Sequence, residues 1–193
     1  KESEIIMIKL IIILLLFIMP IKSYAETTLR MASWLPPKHP WVLDIMIPWI
    51  ENVKIATNGR VNIQLLSSPI GPPPAHFNFA VNGIADITYG VHNYTAGRFS
   101  STQIAELPFL SDSSEILSVA WQRIYEQELL HLEEHKGTHL LGVFTHGPGQ
   151  LWFNRKYEDL EDIKGLKVRI GGGIAQSSAK ALSLVPLQAP VTK

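Results

Sequence analysis

Short strand-type runs alternate with longer helix-type patterns from Thr28 onward, and no other feature restricts the fold as much. Residues 28–33 (TLRMAS), 61–66 (VNIQLL), 85–89 (ADITY), 139–144 (HLLGVF) and 167–170 (KVRI) read as strands. Between the first two, Trp41, Val42, Ile45, Met46, Trp49, Ile50 and Val53 recur at helical spacing behind Pro40, with Pro48 predicting a kink or a break into two pieces and Asn58-Gly59 the stop. The proline-rich SSPIGPPP is a loop, and residues 75–82 form a short helix closed by Gly83. Ser111 to Ser114 with Glu115 supplies N-cap chemistry for the longest helical pattern, from Ile116 to about His135, which stops at Gly137. An acidic turn over residues 159–165 precedes the last strand, and residues 173–184 continue as a helix. This alternation predicts an α/β fold, a parallel or mixed sheet with helices on both faces. Ligands of such sheets sit beyond the carboxyl ends of the strands, which directs attention to the segments from Trp34 and from Ser67 onward and to residues 90–94, 145–150 and 171–173.

The first 25 residues are of a different kind. Residues 10–19 are uninterruptedly apolar behind Lys9, then Pro20 and Ser23-Tyr24-Ala25 precede Glu26. That run is half of the roughly 20 residues a spanning helix needs, so it reads as a secretory signal peptide cleaved after Ala25. Met7 before Ile8-Lys9 gives a short positive start, which places residues 1–6 upstream of it. The sequence has no cysteine, hence neither a disulfide nor a lipidated cysteine, and the expectation is an unanchored periplasmic protein. That compartment lacks nucleotide cofactors as ordinary currency. Lys plus Arg and Asp plus Glu both number 17, and the absence of any basic excess or basic run removes nucleic acid from the partners.

Three chemistries compete for the remaining signals. At Leu166 to Ala179 (LKVRIGGGIAQSSA) a strand meets a helix through Gly171, Gly172 and Gly173, but Gln176 stands where a dinucleotide fingerprint needs its third glycine, and no P-loop lysine follows. What is left is a helix start with donor N–H groups, and Arg169 with a planar fork suited to a carboxylate. The alternative is that Lys167 and Arg169 share one solvated strand face. The second signal, HLEEH at residues 131–135, matches the inverted zinc-hydrolase pattern through His131, Glu134 and His135. Against it, no third ligand stands out, and histidines at a helix C-terminus have a sufficient reason to be there. The third is a set of aromatic and polar residues after the strands: Trp34, His39, Tyr89, His92, Asn93, Tyr94, His146, Gln150 and Trp152.

Four stretches taken in order, LRMASWLPPKHPW (residues 29–41), VNGIADITYG (81–90), AELPFL (105–110) and DIKGLKVR (162–169), carry a family resemblance. The chain resembles the substrate-binding proteins of tripartite ATP-independent periplasmic (TRAP) transporters, the DctP-like family, over essentially its whole mature length. The resemblance implies a periplasmic binding protein-like fold of two α/β domains that closes on a small organic acid. Such a protein is no enzyme, needs no cofactor, and delivers its ligand to the small and large membrane subunits of an ion-gradient-driven transporter. It also implies that Arg169 clamps the ligand carboxylate, with Trp34, Tyr89, Asn93, Gln150 and the backbone of Gly171 and Gly172 completing the site. Two departures narrow the ligand: THGPGQLWFN, around Gly149 and Gln150, lacks a second arginine found there in many members, and RIGGG replaces bulkier residues. Family members continue past Lys193, so the expected organisation is a leader (1–25), a first domain (26–144) and part of a second (145–193). The alternative function is the exported zinc hydrolase of the HLEEH segment.

Overall fold

The computed structural model describes residue 2, residues 25–95 and residues 97–191; the expected leader and its Met7 start fall almost wholly outside the described residues. Strand β1 (Thr27–Ala32) lies at the centre of a parallel sheet, with β2 (Val61–Leu65) on one side and β3 (Ile87–Thr88) on the other. Thr27 pairs with Val61 and Met31 with Leu65 on one edge, while Met31 pairs with Ile87 and Ala32 with Thr88 on the other. Parallel neighbours need a crossover, and the Trp41–Met46 turn of wide π-type helix running into α1 (Ile47–Ala56) provides it. The wide turn has a local cause. Pro48 sits in the first turn of α1, where its missing N–H and its ring are tolerated, and the π-turn absorbs the break that sequence reasoning placed there.

That turn also shifts the expected apolar stripe. Val42 and Met46 are buried with Met31, Trp34, Leu35 and Ile63, whereas Ile45 and Trp49 are exposed. Helix α2 (His76–Val81) leads through Gly83, at φ 66°, to β3, whose entry is held by Asp86. The Arg30 N–H donates to Asp86 Oδ2 at 2.7 Å, and this bond is the main reason the Asp86 carboxyl titrates below its ordinary value.

The expected helix from Ile116 to about His135 is three pieces: α3 (Ser114–Ile124), a π-turn over Tyr125–Leu129 and a 3-10 turn over Leu130–Leu132. Ser113 caps α3 by accepting the Ile116 N–H. Glu133, left-handed at φ 53°, ends the run, and this reversal lets His135 Nδ1 meet Tyr125 Oη at 2.6 Å. Residues 139–144 do not form the expected strand. Val143 N–H donates to Gln122 Oε1 at 2.7 Å and Thr145 N–H to Ser118 Oγ at 2.9 Å, so side chains of α3 take the donors that a neighbouring strand would otherwise satisfy.

A second parallel sheet pairs β4 (Lys167–Ile170) with β5 (Val185–Gln188), connected by α4 (Ile174–Ala181). Its core is Ile163, Ile170, Ala179 and Leu184. Sequence reasoning missed β5 because Pro186 cannot donate to a ladder; it is accommodated because, among the described residues, β5 has a partner on one side only. The fold class is α/β, with both sheets parallel throughout.

Candidate functional site: an arginine beside an aromatic series

Alternation along β4 buries Ile170 and turns Lys167 and Arg169 to the exposed side. Arg169 is nevertheless held in place. Its Nε donates to Ala189 O at 2.7 Å and its Nη2 to Tyr94 Oη at 3.2 Å, while Tyr94 Oη also accepts the Val191 N–H at 3.2 Å. These bonds leave the rest of a guanidinium's donors uncommitted, and no ion pair among the described residues involves Arg169. A fixed, unneutralised guanidinium is suited to pairing with a carboxylate, and it makes one half of the arrangement.

The other half is aromatic. Tyr94 meets the edge of Trp34 at 6.3 Å between ring centroids, Trp34 stacks on Tyr89 at 5.2 Å, Tyr89 faces Trp41 at 6.2 Å, and Trp41 meets Phe144 at 5.4 Å. Trp34, expected from sequence, is buried where β1 ends, and Tyr89 follows β3. Trp34 Nε1, Tyr89 Oη and Asn93 Oδ1 are all buried without a hydrogen-bond partner. Burial also pushes the Tyr89 hydroxyl pKa upward, so it remains a neutral donor. Unpaired polar atoms of this kind are costly in a folded chain unless something else pairs with them.

The glycine turn is placed beside this series but is not open. A Cβ on Gly171 would lie 3.3 Å from Asn93 Oδ1 and 3.3 Å from the Tyr94 ring; on Gly172 it would lie 2.8 Å from Gln188 Nε2 and 3.0 Å from Asn93 O. Gly172 and Gly173 also have φ of 125° and 56°, so both the backbone and the space require glycine. At Gly173 a side chain would collide with the Glu106 carboxylate, whose Oε2 accepts the Ile174 N–H that opens α4 at 3.2 Å. The helix start that sequence reasoning left free for a ligand is therefore occupied by the chain's own acid. Glu106 went unrecognised; its one signal was a lone acid in the apolar AELPFL segment. Gln150 is exposed and makes no hydrogen bond with the other candidates.

HLEEH is not the helical motif expected. His131 lies in a 3-10 turn, Glu133 is left-handed, and the remaining two groups have structural partners. Glu134 Oε1 accepts the Ser101 N–H at 2.8 Å and the Ser100 hydroxyl at 3.2 Å. Burial pushes its carboxyl pKa up, but these bonds outweigh it and hold the group below the usual range. His135 Nε2 faces His92 Nε2 at 3.1 Å, and burial lowers both imidazoles, His92 to about 4. Among the described residues no group of three or more His, Asp or Glu side chains is placed to hold a metal ion.

The α/β scaffold thus presents one arginine beside a series of stacked aromatic rings. The family model of the bacterial extracellular solute-binding proteins, family 7 (DctP), matches residues 31–193, and the chain belongs to this family. It is 27% identical over 174 residues to the outer membrane transporter protein TsaT of Comamonas testosteroni, covering 89% of this chain and 52% of that protein. Among solved structures, a TRAP periplasmic solute-binding protein from Bordetella bronchiseptica with bound (R)- and (S)-mandelate is 41% identical at a TM-score of 0.81, covering 85% of this chain and 52% of that one. A TRAP solute-binding protein of Rhodoferax ferrireducens with benzoate is 26% identical at a TM-score of 0.76, covering 86% and 52%. A marine metagenome TRAP solute-binding protein specific for aromatic acid ligands, with 3-hydroxybenzoate, is 28% identical at 0.79, covering 86% and 52%. The chain thus spans about half the length of the relatives it matches. None of them supports the hydrolase alternative. No described helix is long and apolar enough to cross a membrane.

Proposed function

We propose that the gene product is an exported receptor that captures a small carboxylate, of aromatic type, and hands it to the two membrane subunits of a TRAP transporter, without catalysing a reaction. The observation that carries this reading is the pairing of Arg169 with Tyr94 at one end of the Trp34, Tyr89 and Trp41 series. A benzoate-like ligand has the same two parts: an anionic fork for the guanidinium and a ring for the aromatic wall. Relatives with mandelate, benzoate and 3-hydroxybenzoate bound support the same class. Arg169 is the anchor, Trp34 and Tyr89 hold the ring, Asn93 offers an acceptor, Gln150 takes part on closure, and Gly171 and Gly172 let the turn approach. In this reading residues 1–25 are a removed leader, residues 26–144 belong to one domain and 145–193 to another, and the mature receptor is periplasmic and not lipid-anchored.

The test is a thermal-shift screen of the full-length gene product against benzoate, mandelate and aliphatic acids, with Arg169→Ala in parallel. Ligand at one hundred times its dissociation constant adds about 2.7 kcal/mol of stability, and that shift disappears in the variant. No shift with any carboxylate removes the reading.

A further inference from the structure

Glu106 poses a question that the receptor reading leaves open: why does a carboxylate stand at the glycine turn, beside the place where the ligand's own carboxylate is bound? It closes the 3-10 segment Ser101–Glu106, and its chain then turns away through Leu107. No ion pair among the described residues includes it. Burial raises its pKa, and the charged form is supported against this by the Ile174 N–H at the start of α4, by the Asn93 side chain and by the attraction of His146. The bare Gly173 is what admits it, since any side chain there would strike the carboxylate. Beside it, Asn93 Oδ1 is a buried acceptor with no donor.

We infer that Glu106 sets the charge of the ligand: it fills the anion position at the start of α4 with the chain's own carboxylate, so the site takes one carboxylate, on Arg169, and rejects a second. The inference rests on the reading that Arg169 binds the ligand carboxylate. Both groups on the Glu106 side of the site are acceptors, so the substituent that fits there is a donor such as a hydroxyl. A second anionic group on the Glu106 side of the ligand would meet like charge in partly desolvated surroundings, where repulsion is stronger than in water. Specificity of this kind comes from a built-in repulsive element as much as from the attractive one.

Calorimetric titration of the full-length gene product with benzoate, 3-hydroxybenzoate and benzene-1,3-dicarboxylate tests it, in the wild type and in Glu106→Gln, whose amide oxygen still accepts from Ile174. In the wild type the hydroxy acid binds more tightly than the dicarboxylate by on the order of tenfold or more, and in Glu106→Gln that gap closes by a similar factor. Equal affinities in the wild type, or a gap unchanged by the substitution, overturn the inference. Should Glu106→Gln not fold, 3-carbamoylbenzoate decides in the wild type: this monoanion, in which a neutral amide replaces the second carboxylate, binds more tightly than the dicarboxylate if Glu106 filters charge, and equally if it does not. Benzoate separates the two levels of failure. If it binds while the gap is unchanged, only the charge filter falls; if no acid binds at all, the receptor reading falls and the filter with it.

Discussion

Arg169 is expected to dominate binding although two of its donors are already committed to Ala189 O and Tyr94 Oη. Those bonds fix the guanidinium before a ligand arrives, so less freedom is lost on binding. Arg169→Ala should weaken the affinity for benzoate by about 2 to 5 kcal/mol, most of it from leaving the carboxylate unpaired in a closed cleft; an unchanged dissociation constant takes Arg169 out of the site. His92 carries a pH prediction. Burial, then repulsion from His135, lowers its pKa from 6.5 to about 4, with Glu134 offsetting part of the effect. A histidine whose folded pKa lies below its unfolded value binds fewer protons in the folded state, so its stabilisation is complete above the unfolded value and is lost as pH falls toward the folded one. Linkage gives a loss of about 2 kcal/mol by about pH 5. His135 and His76, also lowered chiefly by burial, act in the same direction. Thermal melts at about pH 7.5 and about pH 5 should show this loss, reduced in His92→Gln; identical losses in both proteins would assign the effect to other groups.

Among the elements, α3 is the one whose start was most clearly written in the sequence. Ser113 has extended backbone dihedrals and accepts the Ile116 N–H at 3.2 Å, as a cap should. Ser113→Ala is expected to lower stability by about 0.5 to 2 kcal/mol, and Ser113→Asp to restore most of it, as read by denaturant melts. The end of that helix was misread for an equally local reason. Periodicity continues through Leu129, Leu130 and Leu132, but the Tyr125 to His135 bond and the left-handed Glu133 turn the chain back, and neither has a counterpart in the hydrophobic pattern. β5 failed the other way, because one proline in a four-residue edge strand removes the usual signal while leaving the pairing to Lys167–Ile170 intact.

For the molecule as a whole, the surface is as informative as the core. Phe109 and Trp152 are almost wholly exposed, and Ile116, Leu141 and Leu160 are two-thirds exposed. Large apolar side chains left this exposed are an aggregation liability. A preparation limited to these 193 residues should bind a hydrophobic dye and melt over a broad range; a sharp, cooperative transition at high temperature would contradict that. The sequence by itself determined the α/β class, the positions of β1, β2 and β4, the Pro48 break and the capped start of α3 within Ser111 to Ser114, because each depends on neighbours close along the chain: alternation, helical period, a missing N–H, a capping hydroxyl. Only the tertiary structure decided that Tyr94 holds Arg169, that Trp34, Tyr89 and Trp41 stack into one series, and that Glu106 occupies the start of α4. Those contacts join residues up to 75 positions apart, and no local pattern encodes which distant side chain fills a given space, since that is settled by the packing of two sheets and by the unpaired polar atoms each leaves for the other to meet.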